Sequence, residues 1–145
     1  MELQIINQNY TLSLYGVSGT AVNRAFAETG MKLMGEMWKT IQAHKLKHKG
    51  INVWVYEANE HLFTGVELED VPPPGIGLEP KQVNLKKYAY YKLVGPYSKI
   101  PAAYEEIRAA IKRQALDTCF PWLEVYGHWT PDESKLETEI FICLK

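Results

Sequence analysis

The chain has 145 residues, a formal net charge of −1 and an apolar fraction of 46%. That length suits one domain over residues 1–145, and a domain of this size buries enough surface to fold without a structural metal. The balanced charge excludes the large basic excess typical of non-specific nucleic-acid binding, so we expect no direct nucleic-acid partner.

The first half of the chain predicts four elements in the order strand, helix, strand and strand. The strands alternate apolar and polar side chains, and the helix has apolar residues three and four apart. These elements cover residues 11–17, 24–47, 51–58 and 61–68. Asn59 and Glu60 suit the hairpin turn between the last two strands. The basic run at residues 44–49 is interpreted as the solvated end of the helix, with Gly50 as its stop signal.

A proline-rich connector leads to the second half. Residues 71–77 contain three consecutive prolines, which fit neither a helix nor a central strand. The order strand, helix, strand and strand then returns. These four elements cover residues 88–94, 100–114, 122–129 and 137–144.

A short sequence echo supports an internal repeat. The sequence VWVY at residues 53–56 answers LEVY at residues 123–126, so Trp54 and Glu124 hold matching positions. We predict an α+β fold in which a duplicated βαββ unit forms an antiparallel-rich sheet with two helices on one side. The repeats would span about residues 10–70 and 84–145. The pseudo-twofold axis between them should leave a central groove, and ligand sites favour such junctions.

The sequence PWLEVY at residues 121–126 places a carboxylate among aromatic side chains. In a strand, Trp122, Glu124 and Tyr126 share one face, while the residues between them share the other. No arginine or lysine on that strand face can pair with Glu124, and burying an unpaired charge is costly. Two interpretations remain open from this pattern: a glutamate that faces solvent, or one that meets a charged ligand.

Six segments together carry a family resemblance. They are KYAYY at residues 87–91, GPY at residues 95–97, PWLEVY at residues 121–126, TEIFI at residues 138–142, and, in the first half, Met37-Trp38 and Trp54-Val55-Tyr56. In order and spacing they resemble the GyrI-like effector-binding family, and most closely its short, stand-alone, integron-associated type. The resemblance runs from about residue 10 to the end of the chain.

The resemblance implies both a fold and a kind of ligand. Members share a duplicated βαββ unit with a groove across the middle, and they bind hydrophobic molecules that are often cationic aromatic drugs. It assigns the negative charge of the groove to Glu124. Many members of this bacterial family are fused to a DNA-binding domain and regulate transcription. Here about ten residues precede the first predicted strand, so we expect no helix-turn-helix and no direct transcription role.

The predicted ligand site combines the glutamate with aromatic walls. A cation stacked on an aromatic ring gains roughly 0.5–2 kcal/mol, and a nearby carboxylate adds attraction without demanding one ligand shape. We therefore expect a protein that binds hydrophobic, cationic aromatic small molecules, for drug or effector sensing or for sequestration. For each aromatic residue the competing interpretation is core packing. The predicted ligand-binding residues are Glu124, Tyr126, Trp54, Tyr56, Trp38 and Tyr91.

A hydrolase is the alternative function. Some relatives in the family hydrolyse strained electrophilic natural products, and Glu124 would then act as general base on a water molecule, with Tyr126 or Tyr56 as acid. We favour binding, and we expect neither a cofactor nor a metal. His44 and His48 have a spacing that suits a metal but no evident third ligand.

Cysteine usage and hydropathy indicate the compartment. Cys119 and Cys143 form no CxxC pair, so a disulfide framework is not implied and a reduced, cytosolic setting fits. No stretch approaches the roughly 18 apolar residues of a membrane span, and no signal peptide is visible. We expect a cytoplasmic protein without membrane contact. Its expected partner is a small molecule, and a partner protein or a homodimer stays open.

Overall fold

The structure, a computed structural model, describes residues 3–145, which form eight strands and two α-helices. The strands are β1 (Gln4–Ile6), β2 (Tyr10–Thr20), β3 (Asn52–Tyr56), β4 (His61–Val66), β5 (Glu79–Leu85), β6 (Tyr88–Val94), β7 (Thr118–Tyr126) and β8 (Glu137–Leu144). The helices are α1 (Phe26–Ala43) and α2 (Ile100–Arg113). All strands join one antiparallel sheet in the order β1-β6-β8-β7-β3-β4-β2-β5. Within residues 3–145, no helix combines the length and the apolar character needed to cross a membrane.

Two units with the same strand order build the centre of this sheet. Each unit runs strand, helix, strand and strand, and its third strand lies between its first and its second. The units meet at β3 and β7, which pair so that Trp54 lies directly opposite Glu124. The predicted α+β fold with a duplicated βαββ unit is confirmed, and the matching positions of the sequence echo are cross-strand neighbours.

Two strands that the sequence did not predict extend the sheet at its edges. β1 precedes the first unit but pairs with β6 of the second, and β5 precedes the second unit but pairs with β2 of the first. β1 has only three residues, and β5 contains Pro80, which an edge strand tolerates. This exchange joins the two halves by backbone hydrogen bonds. Between the units, residues 71–78 contain neither helix nor strand, as predicted.

The first helix ends earlier than predicted. Lys45 takes a left-handed conformation with φ of 51°, and the amide of Leu46 donates to the carbonyl oxygen of Ile41 at 3.0 Å. This 6→1 bond is the Schellman ending of a helix. The prediction that the helix runs to residue 47, with the basic run at residues 44–49 as its end, was therefore wrong. They follow the helix, and His48 already forms a bridge with Leu68.

The sheet is strongly curved. Tyr10 on β2 stacks on Phe141 of β8 with ring centroids 4.5 Å apart, although three strands separate β2 from β8 in the sheet. Neighbouring strands lie about 4.8 Å apart, so a flat sheet would hold these rings far from each other. The concave face thus closes over an apolar core that includes Leu14, Val55 and Leu123.

Both helices lie on the opposite, convex face. Gly30 of α1 lies against the ring of Trp54, and the hydroxyl of Tyr104 on α2 donates to Glu124. Because Trp54 and Glu124 are cross-strand partners, they point to the same side of the sheet. The helices are therefore on one side, as predicted, and the central strands form the floor between them.

A disulfide bridge joins β7 to β8, against the expectation of two reduced cysteines. Cys119 and Cys143 have Cα atoms 5.0 Å apart, and their sulfur atoms are bonded. The strand register brings them together, since Thr118 pairs with Leu144 and Trp122 pairs with Ile142. The spacing of the cysteines along the chain carries no information on this register, so no local pattern indicated the bridge.

Candidate functional site

A cleft of about 1170 Å³ opens on the face of the sheet that carries the helices. Strands β3 and β7 form its floor, and the N-terminal parts of α1 and α2 form its walls. This volume slightly exceeds the roughly 300–1,000 Å³ that is typical of sites for drug-sized molecules. Its central lining residues are Met34, Trp54, Tyr56, Tyr104, Glu124 and Tyr126.

Glu124 lies on the floor of this cleft and is only 4% exposed. The hydroxyl of Tyr56 donates to its Oε1 at 2.7 Å, and the hydroxyl of Tyr104 donates to its Oε2 at 2.7 Å. Tyr126 also donates to Oε1. We call these three phenols the tyrosine cage. No salt bridge within residues 3–145 involves Glu124. The nearest described cation in this part of the cleft wall is Arg108 of α2, whose guanidinium carbon lies 5.6 Å from the centroid of the Tyr104 ring.

Burial keeps the tyrosine cage protonated. Desolvation, and after it the negative charge of Glu124, raises the pKa of Tyr56, Tyr104 and Tyr126 well above the ordinary phenol value of 10.0. The hydrogen bond that each phenol donates to Glu124 raises its pKa further. The three hydroxyls therefore remain donors to the carboxylate at neutral pH.

Aromatic rings surround the carboxylate. Trp54 meets Tyr126 edge-on with centroids 5.6 Å apart, and Phe26 of α1 meets Tyr56 edge-on at 5.4 Å. Tyr97, which precedes α2, also meets Tyr126 edge-on, with ring centroids 5.6 Å apart. The faces of aromatic rings carry partial negative charge. The cleft thus combines a full negative charge with several electron-rich surfaces, which is an environment suited to an organic cation.

The sequence matches no protein-family model and no curated protein, but solved structures share the fold. SAV2435 bound to tetraphenylphosphonium has a TM-score of 0.66 and 20% identity, over 100% of this chain and 94% of that chain. The C-terminal domain of EcmrR has a TM-score of 0.75 and 13% identity, over 100% and 99%. An integron cassette protein from Vibrio cholerae has a TM-score of 0.54 and 16% identity, over 99% and 95%. The chain has a GyrI-like fold.

Within this GyrI-like fold, four of the six predicted site residues line the cleft: Glu124, Tyr126, Trp54 and Tyr56. Their side chains meet because β3 and β7 pair at the centre of the sheet, which brings the matching segments of the two repeats together. The predicted residues on one strand pair thus form one continuous surface.

The other two predicted residues, Trp38 and Tyr91, do not line the cleft. The indole N–H of Trp38 donates to Oδ1 of Asn52 at 2.7 Å, and Asn52 itself lines the cleft, so Trp38 lies behind the wall. Tyr91 is opposite Ile140 on the outer side of the second unit and packs in the apolar cluster beneath α2. Trp38 is itself part of α1, and Tyr91 packs beneath α2, so neither side chain reaches the floor of the cleft.

Tyr104 is the main site residue that the sequence did not reveal. It lies on α2 next to an apolar stripe that includes Ala103, Ile107 and Ile111, all buried. A tyrosine at the border of such a stripe is equally compatible with packing. Only the angle at which α2 crosses the sheet directs its hydroxyl to Glu124.

Proposed function

We propose that this protein binds hydrophobic organic cations in the cleft, with Glu124 as the counter-charge. The supporting observation is a buried carboxylate, at the floor of an aromatic cleft, that forms no salt bridge within residues 3–145. A buried charge without a counter-charge is unfavourable, and a bound cation would compensate it. The SAV2435 structure contains tetraphenylphosphonium, a cation surrounded by aryl groups, and this supports the same ligand class here.

The walls of the cleft favour broad rather than narrow specificity. Met31 and Met34 of α1 line the cleft, and methionine side chains adapt to ligands of different shape. Attraction between a cation and a carboxylate falls off gradually with distance and imposes no orientation. We therefore propose multidrug or effector binding, for sensing or sequestration, by Glu124, Tyr126, Trp54 and Tyr56.

We also propose that the chain is a stand-alone, integron-associated member of the GyrI-like effector-binding family. The support is the fold that it shares with an integron cassette protein, together with the segments quoted above.

Hydrolysis by Glu124 is the alternative function, and the hydrogen bonds argue against it. A general base must accept a proton from a water molecule at a free lone pair. Oε1 of Glu124 already accepts two hydrogen bonds from the cage and Oε2 accepts one, so only one lone-pair site remains for a water molecule. Incubation with styrene oxide, followed by mass spectrometry, separates the two functions. If the protein only binds, styrene oxide is converted to its diol no faster than in a sample without protein. If the protein is a hydrolase, wild type forms the diol faster than Glu124→Gln does.

The binding proposal is tested by titrating tetraphenylphosphonium into wild type and Glu124→Gln in a calorimeter. Loss of the charge should weaken binding roughly ten- to hundredfold, corresponding to about 1.5–3 kcal/mol for a charged partner. Neutral triphenylphosphine oxide should bind both proteins with similar affinity. Equal affinity of the two proteins for tetraphenylphosphonium would refute the proposed role of Glu124.

Glu139→Gln is the matched control variant. Glu139 also lies on the sheet and accepts a hydrogen bond from a tyrosine, Tyr90, but it does not line the cleft. The same chemical change should therefore leave tetraphenylphosphonium binding unaltered. Near-ultraviolet circular dichroism of both variants shows whether the aromatic packing of the cleft is intact.

A further inference from the structure

We infer that the tyrosine cage makes the cleft selective for cations without an N–H proton, such as quaternary ammonium and phosphonium ions, over protonated amines of the same size. This inference rests on the proposed function, because it concerns which cations the same site accepts. It assigns to Tyr104 the role of the residue that determines this specificity.

The first step is the acceptor capacity of Glu124. A carboxylate has about four lone-pair sites, two on each oxygen. Tyr56 and Tyr126 both donate to Oε1, and Tyr104 donates to Oε2. The cage thus occupies Oε1 fully and Oε2 in part. A ligand can approach the charge of Glu124, but few positions remain at which it can donate a hydrogen bond to the carboxylate.

The second step concerns the other acceptors of the cleft. Oδ1 of Asn52 accepts the indole N–H of Trp38, and Glu57 pairs with Lys81 of β5. Glu60 also lines the cleft, but it belongs to the turn between β3 and β4 rather than to the floor. An N–H group near Glu124 is left with the one free lone-pair site of Oε2 and with the phenol oxygens, which are neutral and bind about half as strongly as a charged acceptor.

The third step compares two cations of equal charge. A protonated amine loses hydrogen bonds to water when it enters the cleft, and an unreplaced hydrogen bond is costly. A quaternary ammonium or phosphonium ion has no such donor to satisfy. Both cations gain the same Coulomb attraction to Glu124 and similar contacts with the aromatic rings. The difference between the affinities of the two cations therefore measures the effect of the lone pairs that the cage occupies.

Tyr104 is the member of the cage that controls the remaining oxygen. It is the cage donor to Oε2, whereas Tyr56 and Tyr126 share Oε1. Tyr104→Phe keeps the ring and opens Oε2 to a ligand N–H. Tyr56→Phe is the comparison variant: it also frees one lone-pair site, but Tyr126 still donates to Oε1, so neither carboxylate oxygen is left without a cage donor.

The test compares trimethyl(2-naphthylmethyl)ammonium with the protonated dimethyl(2-naphthylmethyl)amine by calorimetry at pH 7. Two buffers of different ionisation enthalpy show whether the amine enters with its proton. Wild type should bind the quaternary ion about tenfold more tightly than the amine, because a tenfold difference in affinity corresponds to the net free energy of one hydrogen bond. Tyr104→Phe should bring the ratio of the two affinities close to one, and Tyr56→Phe should change it less.

A wild-type ratio near one, or a ratio that Tyr104→Phe leaves unchanged, would overturn the inference while cation binding still stood. Failure of both naphthyl ligands and of tetraphenylphosphonium to bind would instead overturn the proposed function. The wild-type ratio needs no variant, so poor folding of Tyr104→Phe would not prevent a decision.

Discussion

Gly30 on α1 lies against the indole ring of Trp54, at the wall of the cleft. A Cβ atom at this position would fall 2.3 Å from two carbons of that ring, closer than two carbon atoms can pack. A glycine inside a helix usually costs about 0.5–1 kcal/mol relative to alanine. Here it lets the helix approach the sheet closely enough to shape the cleft.

We expect Gly30→Ala to lower the free energy of unfolding by about 1–3 kcal/mol, because the added methyl group overpacks the contact. It should also weaken ligand binding, since Trp54 must shift. Gly35→Ala is the control on the same helix, where an added Cβ meets nothing within 4 Å. That change should stabilise the protein by about 0.5–1 kcal/mol. Urea unfolding measures both, and equal effects of the two substitutions would contradict the proposed contact.

At the level of elements, β7 contains an irregularity beside the cleft. Four residues lead from Thr118 to Trp122 on β7, opposite two residues from Leu144 to Ile142 on β8. The bulged segment carries Phe120, which lines the cleft. Two contacts hold it: the disulfide of Cys119 with Cys143, and the indole N–H of Trp122, which donates to the carbonyl oxygen of Cys119 at 2.8 Å.

Removing the disulfide should lower the stability of the whole sheet. The bridge closes a loop of sequence separation 24, for which the chain-entropy account gives about 3 kcal/mol. We expect the double variant Cys119→Ser with Cys143→Ser to lose roughly 2–4 kcal/mol in urea unfolding. Dithiothreitol should lower the midpoint of wild type and leave the variant unaffected. A wild-type midpoint that is insensitive to dithiothreitol would show that the bridge does not stabilise the fold.

At the scale of the whole molecule, tyrosines lie at the contacts that close the sheet and at the floor of the cleft. Tyr10 of β2 stacks on Phe141 of β8 and so joins the two halves across the concave face. Burial, followed by the charge of Glu139, raises the pKa of Tyr10 to about 12. The folded state therefore depends on the phenol of Tyr10 and the three phenols of the cage remaining protonated.

The stability of the protein should therefore fall in alkali. The unfolded chain loses phenol protons near pH 10, whereas Tyr10 in the folded protein holds its proton to about pH 12 and the cage holds its protons to higher pH. The folded state binds more protons in this window, so the contribution of these phenols is complete below pH 10 and falls as the pH rises. The contribution of Tyr10 is lost through about pH 12, and that of the cage continues to fall at higher pH. Thermal unfolding between pH 8 and 12 should show the midpoint decreasing above pH 10.

Absorbance of tyrosinate at 295 nm provides the matching measurement on the folded protein. Some of the nine tyrosines should ionise only when the protein unfolds. Tyr10→Phe should reduce the slope of stability against pH between 10 and 12, because one shifted phenol is removed. Ionisation of all nine tyrosines near pH 10 in the folded state would contradict the burial described here.

Local sequence patterns were sufficient to predict the α+β class, the duplication and the central residues of the candidate site. Alternation and helical spacing are local patterns, so they report elements without knowledge of the fold. The echo between residues 53–56 and 123–126 located Trp54 and Glu124, which the sheet then pairs directly. The aromatic residues around Glu124 were visible because strand alternation alone places Trp122 and Tyr126 on its face.

Tertiary structure alone decided the partners of these residues. The exchange of β1 and β5, and the pairing of Cys119 with Cys143, depend on strand register between distant segments, which leaves no local signal. The exclusion of Trp38 from the cleft depends on which side of α1 meets the sheet. The hydrogen bond from Tyr104 to Glu124 depends on the crossing of α2 over β7. Since register and helix crossing are set by the packing of the whole core, a sequence pattern names candidate residues, and only the assembled sheet selects which of them meet.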